Sequence, residues 1–257
     1  MRTKIKKGLF RLFVFAAVIF SLLLIIVLNP ALAYSNEKKH HNFTIYHNHI
    51  LDVALADRLD EAGELLKLSE IYTPNMKMDI CLNDGSRYPS LIRAVKGNAF
   101  AVGFYNKVVI MGHADYVDNF VELNGYKWNL RQLLAHEMIH CQQYRALGFF
   151  HSNPVANIPD WKWEGYAEYI ARREEDQKNI GINIERLIQA EQADHNGWII
   201  FKDETGTVIS YYKYWLLMQY CIDIKKLSWK QVLDNNITEQ NMFTEMMQWH
   251  HAKKTAL

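Results

Sequence analysis

The chain is short of residues that bend or tether a backbone: its 257 residues include 5 prolines, 12 glycines and 3 cysteines. So little proline and glycine excludes a linker-rich or repeat design. Three cysteines cannot make a disulfide framework. A surplus of one charge is lacking too, since 29 basic residues face 28 acidic ones. A formal net charge of +1 gives no electrostatic footprint for nucleic acid. Apolar groups are plentiful: 49% of the chain is hydrophobic and 13% aromatic, which excludes disorder and suffices for the core of one large domain.

The neutral balance is an average over unequal segments. Arg2, Lys4, Lys6, Lys7 and Arg11 form a basic head without an acid, residues 12–28 carry no ionic group, and Pro30-Ala31-Leu32-Ala33 follows. That is the layout of a secretory signal peptide, with cleavage expected after Ala33. The 17 residues of 12–28 are slightly short of the ~20 needed for a membrane span, so an uncleaved N-terminal anchor over residues 1–33 is the second reading. Either way the basic head stays in the cytoplasm and the body is extracytoplasmic, secreted or anchored. Without residues 1–33 the balance is 24 basic against 28 acidic residues, a net of −4.

The body reads as α+β. Strands are expected at 43–46, 78–82, 100–104 and 108–111. A helix is expected over 51–68, with Leu51, Ala54, Leu55, Leu59, Ala62, Leu65 and Leu66 on one face. From about 126 onward the pattern is almost wholly helical. This divides the body into an N-terminal α/β lobe (34–125) and a helical lobe (126–257) of one catalytic domain. Cys81, Cys141 and Cys221 read as small core residues. The cluster His40, His41, His47 and His49 reads as a polar surface segment, although it could also bind metal.

The informative segment begins at Asn129. Asn129 with Gln132 makes a capping-box start, and Gly148 supplies a stop about 18 helical residues later. His136 and His140 lie one turn apart on one face, so both can reach one metal ion. Glu137 leans over the same site, where a carboxylate can take a proton from activated water. Leu133, Leu134, Met138 and Ile139 turn that face inward. A second helix, expected to be capped by Asp160, carries Glu164 as a third ligand candidate. Gly165 and Ala167 leave room for close approach to the first helix. Glu168 lies one turn from Glu164, placed to fix a ligand histidine's tautomer. The plainer reading of Glu164 and Glu168 is a solvated face with Arg172 as an i,i+4 partner.

His136-Glu137-Met138-Ile139-His140 followed by Trp163-Glu164-Gly165-Tyr166-Ala167-Glu168-Tyr169 resembles the gluzincin metallopeptidases. The similarity is greatest to the peptidase-MA-like, minimal gluzincins and to the Trp-x-x-Glu-Gly-Phe-Ala segment of aminopeptidase N-type enzymes. It covers about 40 residues, Asn129 to Tyr169. The resemblance implies a zincin-like fold: a small mixed sheet with an edge strand in the upper lobe, a helical lower lobe and a Zn²⁺ site between them. It implies His136, His140 and Glu164 as zinc ligands, Glu137 as general base and Glu168 as the acid behind a ligand. The implied activity is zinc-dependent hydrolysis of a peptide or protein substrate. The sequence lacks the Gly-x-Met-Glu-Asn-type segment with which aminopeptidase N relatives hold a free N-terminus, so an endopeptidase is expected. Gluzincins place an oxyanion donor downstream, here Tyr211 or Tyr212, with Tyr214 and His195 as further candidates. Zincin edge strands pair with extended substrate, which points to Ala101, Val102 and Gly103. The competing class is a non-catalytic zinc-binding or peptide-sensing module with the same fold.

Overall fold

The structure is a computed structural model that describes residues 2–173, 177–193 and 196–255. Helix α1 (Arg2–Leu28) leads into a tight turn at Pro30–Leu32. The hairpin β1 (Asn36–His40) and β2 (Phe43–His47) follows, then α2 (Ala54–Leu66), β3 (Met78–Cys81) and α3 (Tyr88–Lys96). A second hairpin is β4 (Ala101–Phe104) with β5 (Lys107–Ile110), joined by Tyr105 and Asn106. These five strands form one mixed sheet in the order β1-β2-β3-β5-β4, with β2, β3 and β5 parallel and an antiparallel strand at each edge. The crossovers through α2 and α3 are what make the inner strands parallel.

Period-2 alternation assigns the sheet's two faces. Ile45, Ile80, Val108 and Ile110 turn into the main core with α2, whereas Cys81, Val109 and Met111 turn to the opposite face, where Tyr88 and Ile92 of α3 close a smaller cluster. β4 obeys the same rule: Ala101 belongs to the main core, while Val102 and Phe104 pack on the smaller cluster. Beyond the sheet lies a three-stranded antiparallel unit, β6 (His113–Asp115), β7 (Phe120–Leu123) and β8 (Tyr126–Asn129). β8 runs directly into α4 (Leu130–Leu147).

α4 packs on α2, β4 and β5 and also on α5 (Asp160–Ala171). Covered on both sides, it is buried at nearly every position from Leu130 to Tyr144, as expected of a helix at the centre of a fold. Behind α5 stands α7 (Ile209–Gln219), flanked by α6 (Ile180–Gln192) and α9 (Glu239–Thr255), with a hairpin of β9 (Trp198–Ile200) and β10 (Gly206–Val208) and a short α8 (Trp229–Val232). One hydrophobic core runs from Ile45 through α4 to Met246, so the two expected lobes share it.

The α+β reading matches this architecture, with several corrections. The first expected helix is shorter, Ala54–Leu66, because Asp52 Oδ1 accepts from the Ala54 N–H and ends the approach in a turn. The region after 126 is not wholly helical: β8, β9 and β10 lie there, each three or four residues long and too short to display alternation. Cys81, Cys141 and Cys221 are all buried and free. Gly165 does allow a close helix approach, but to α7: a Cβ there would stand 2.7 Å from the Tyr214 carbonyl oxygen.

Candidate metal centre

Asn129 Oδ1 accepts from Gln132 N at 3.1 Å and fixes where α4 begins. The reciprocal half of the expected capping box is replaced, for Gln132 Oε1 is directed to Arg172 Nη1 at 2.9 Å. α5 begins after Pro159, so Asp160, expected as its cap, is instead its first helical residue. These two starts set the phase that brings His136, His140 and Glu164 together. His136 Nε2 and His140 Nε2 lie 3.0 Å apart, and each is 3.1 Å from Glu164 Oε2. The triangle is nearly equilateral, and both histidines are buried.

The protons of this triangle can be counted from its surroundings. His136 Nδ1 lies 2.9 Å from Glu168 Oε1, bent away from a good hydrogen-bond line but beside an acceptor, which favours the N–H on that nitrogen. His140 Nδ1 lies 2.8 Å from Gln143 Oε1, while Gln143 Nε2 is 3.0 Å from the Trp163 carbonyl oxygen. A carbonyl only accepts, so the amide nitrogen must face Trp163 and the oxygen must face His140; that Nδ1 carries a proton too. Neutral imidazoles in this tautomer present bare lone pairs at both Nε2 atoms. Three acceptors then point at one another, an arrangement that only a proton or a cation relieves.

A metal ion fits that demand. Ligand atoms ~2.0–2.2 Å from a tetrahedral ion stand about 3.3–3.6 Å from each other, so the 3.0–3.1 Å triangle found here need open only by a few tenths of an ångström. The electrostatics agree. Burial alone would lower His136, but its contacts with Glu164 and Glu168 lift it well above the ordinary imidazole range. Burial would raise Glu164, but His140 and His136 hold it well below the usual carboxylate range. The site is built around positive charge. Each imidazole also has an aromatic neighbour: Trp163 stacks on His140 at 5.5 Å and 10°, and Tyr211 on His136 at 6.0 Å and 27°.

Glu137 shares this buried group. Its Oε2 accepts from the Gly103 N–H at 2.5 Å, which ties the base candidate to edge strand β4. Burial pushes its carboxyl above the usual range, against the lowering effect of His136, His140 and the Gly103 amide. Contact is that close because residue 103 lacks a side chain: a Cβ there would lie 2.1 Å from the Glu137 backbone oxygen. The Phe100 carbonyl accepts from Met111 and Gly112, on the β5 side. By ladder alternation, Ala101 and Gly103 then direct their backbone groups away from β5 while Val102 directs its own into the pair. Of the three expected substrate-strand residues, Ala101 presents an outward edge, and the Gly103 N–H is already engaged by Glu137.

Glu168 is fully buried and joins two partners, His136 Nδ1 and, at 2.5 Å, Arg172 Nε. Burial alone would raise its carboxyl, but Arg172 and His136 hold it below the usual range. The plainer reading of the i,i+4 pair is right about the partner and wrong about the solvent, since Arg172 lies among the rings of Trp128, Phe201 and Trp215. Gln143 is therefore a site residue that the sequence alone does not single out, and Arg172 is one that the sequence shows only as a surface partner. The i,i+3 spacing of His140 and Gln143 is the one signal that could have found the first. A cleft of about 780 Å³ opens on the triangle, lined among others by Ala101, Gly103, Trp128, Trp163 and Tyr211. Tyr212 points elsewhere, fully buried against Trp215. His195 lies outside the described residues. His40 and His41 gather around Asp60, at 2.7 and 3.6 Å, in an exposed group.

No protein family, curated protein or solved structure matches the chain.

Proposed function

We propose that the chain is a zinc-dependent metallopeptidase of zincin-like fold, an endopeptidase that hydrolyses peptide bonds in peptide or protein substrates outside the cytoplasm. One observation carries this reading: three acceptor atoms, His136 Nε2, His140 Nε2 and Glu164 Oε2, converge within 3.1 Å while each Nδ1 faces an acceptor of its own. Two imidazoles and one carboxylate form a donor set suited to zinc with one coordination position open. A zinc ion, when bound, lowers the pKa of water toward ~7 and polarises a carbonyl.

The residues around it supply the rest. Gly103 holds Glu137 Oε2, which leaves Oε1 to take a proton from the attacking water and return it to the departing amine. Burial, and then the charges of Glu164 and Glu137, keep Tyr211 a phenol, able to donate to the developing oxyanion. Ala101 offers its outward backbone groups to an extended peptide. Glu168, itself held by Arg172, orients His136, as Gln143 orients His140.

The test is a peptide-library digest with the purified full chain, alongside its metal content. The expected results are stoichiometric zinc and cleavage at internal bonds, abolished by a chelator and restored by zinc. Glu137→Gln should lower the rate about 10²–10⁴-fold with zinc retained. Zinc without cleavage of any peptide would favour a peptide-sensing module, and absence of zinc would refute both readings.

A further inference from the structure

The N-terminal helix poses a separate question, because the residues of the expected cleavage bond, Ala33–Tyr34, pack against the folded domain. Residues Phe10–Leu28 of α1 are long and apolar enough to cross a membrane, and none of that window is buried in the protein. Phe10, Phe13, Phe15 and Phe20 are each 64–71% exposed. At 1.5 Å per residue the 19 residues span roughly 28 Å, the thickness of a hydrocarbon layer.

The end of the helix behaves differently. Asn29 Nδ2 closes it by donating to the Ile25 carbonyl at 2.8 Å, and Pro30 in the following turn is buried. Ile26, Val27, Ala33 and Tyr34 then pack on the cluster of Cys81, Tyr88, Ile92, Val109 and Met111 beneath the sheet. Three hydroxyls fasten this junction. Tyr88 donates to the Val27 carbonyl at 2.7 Å, Ser86 to the Ala33 carbonyl at 2.8 Å and Tyr34 to the Leu82 carbonyl at 2.8 Å.

A chain beginning at Tyr34 would strip Tyr88 and Ser86 of these partners and uncover Tyr88 and Ile92. A segment destined for removal has no reason to satisfy hydroxyls of the domain that discards it. We infer that residues 1–33 are retained, that the lipid bilayer covers the exposed length of α1 from Phe10 up to the part that packs on the domain at Ile26 and Val27, and that the exit turn after the helix is a structural part of the domain. The anchor is then a rigid mount. Val102 and Phe104 of β4 rest on the same cluster as Val27 and Tyr34, so the strand that borders the candidate metal centre is tied to the membrane junction.

The experiment uses the full chain with a C-terminal epitope, made in cells with an export pathway. The expected product sediments with membranes, resists alkaline carbonate and has the uncleaved mass. A soluble product beginning at Tyr34 would overturn the inference. So would a full-length product released by carbonate, which would mean that a second copy, not lipid, covers the helix. Hydrogen exchange of the chain in nanodiscs tests the mount. The Leu32 and Ala33 amides, bonded to Asn29 and Pro30, should exchange slowly, and about tenfold faster in Tyr88→Phe. Exchange at free-peptide rates in the unaltered chain would reduce the mount to a loose tether. None of these readouts depends on metal or proteolysis, so they stand or fall apart from the proposed activity.

Discussion

At the scale of single residues, the site rests on two imidazoles whose outer nitrogens are each fixed by a different device. Glu168 fixes His136 with a carboxylate held by Arg172, and Gln143 fixes His140 with an amide anchored on Trp163. The second device separates metal tuning from structure. Gln143→Leu removes the acceptor behind His140 and should weaken zinc binding about 10–100-fold, measured by competition with a chromogenic chelator. Gln143→Glu restores an acceptor but leaves the Trp163 carbonyl without its donor, so affinity should recover while stability does not. The first device is mainly structural risk. Arg172→Met leaves a buried carboxylate with one partner and should cost about 3–5 kcal/mol of unfolding free energy in denaturant titrations. The two histidines of the candidate site were legible because His136 and His140 must share a helix face, and i,i+4 spacing says so. Gln143 was not, and Arg172 was legible only as a partner on a solvated face, because their roles depend on what α5 and the rings around it bring into reach.

At the scale of elements, the geometry depends on how closely β4 approaches α4. Gly103 is the contact point, and its missing side chain lets the strand amide reach Glu137. Gly103→Ala would set a methyl group 2.1 Å from a backbone oxygen, where no rotamer relieves it. The strand must move, so the expected loss is about 1–3 kcal/mol of stability and most of the hydrolytic rate. Gly63 is the control: it lies inside α2 with nothing within 4 Å of where a methyl carbon would stand, so Gly63→Ala should be neutral or stabilising by about 0.5–1 kcal/mol. Thermal melts of the two variants side by side check both. This contact was invisible in the sequence, since a glycine in a strand announces a close approach without naming the partner. Of the inner strands, β5 was legible because Val108-Val109-Ile110-Met111 is a continuous apolar run buried on both faces, and β3 because Met78-Asp79-Ile80 alternates. β1 was not, because Asn36-Glu37-Lys38-Lys39-His40 is a polar edge strand with no apolar signal.

At the scale of the whole molecule, a metal ion at this position would link α4 to α5 inside a core that both lobes share. Local loosening of the site cannot then be separated from the main unfolding transition, and zinc should register in the melting temperature of the entire domain. With free zinc at 100 times the dissociation constant the stabilisation is about 2.7 kcal/mol, or roughly 5–10 °C for a domain of this size. The size of that shift should depend on pH in a definite direction. Without metal, Glu164 and Glu168 raise the proton affinity of His136 in the folded chain. A group raised on folding contributes stability that is fully present below its unfolded pKa, near 6.5, and is lost as pH rises through the folded value. Zinc needs the same nitrogen unprotonated, so its own contribution grows over that interval. The metal-free protein should therefore melt progressively lower from pH 6 to pH 8 through this group, while the gap to the zinc-loaded protein widens. Calorimetry of both forms at three pH values measures the gap. A gap that is constant, or that narrows with rising pH, would mean that the ion does not replace a proton on His136.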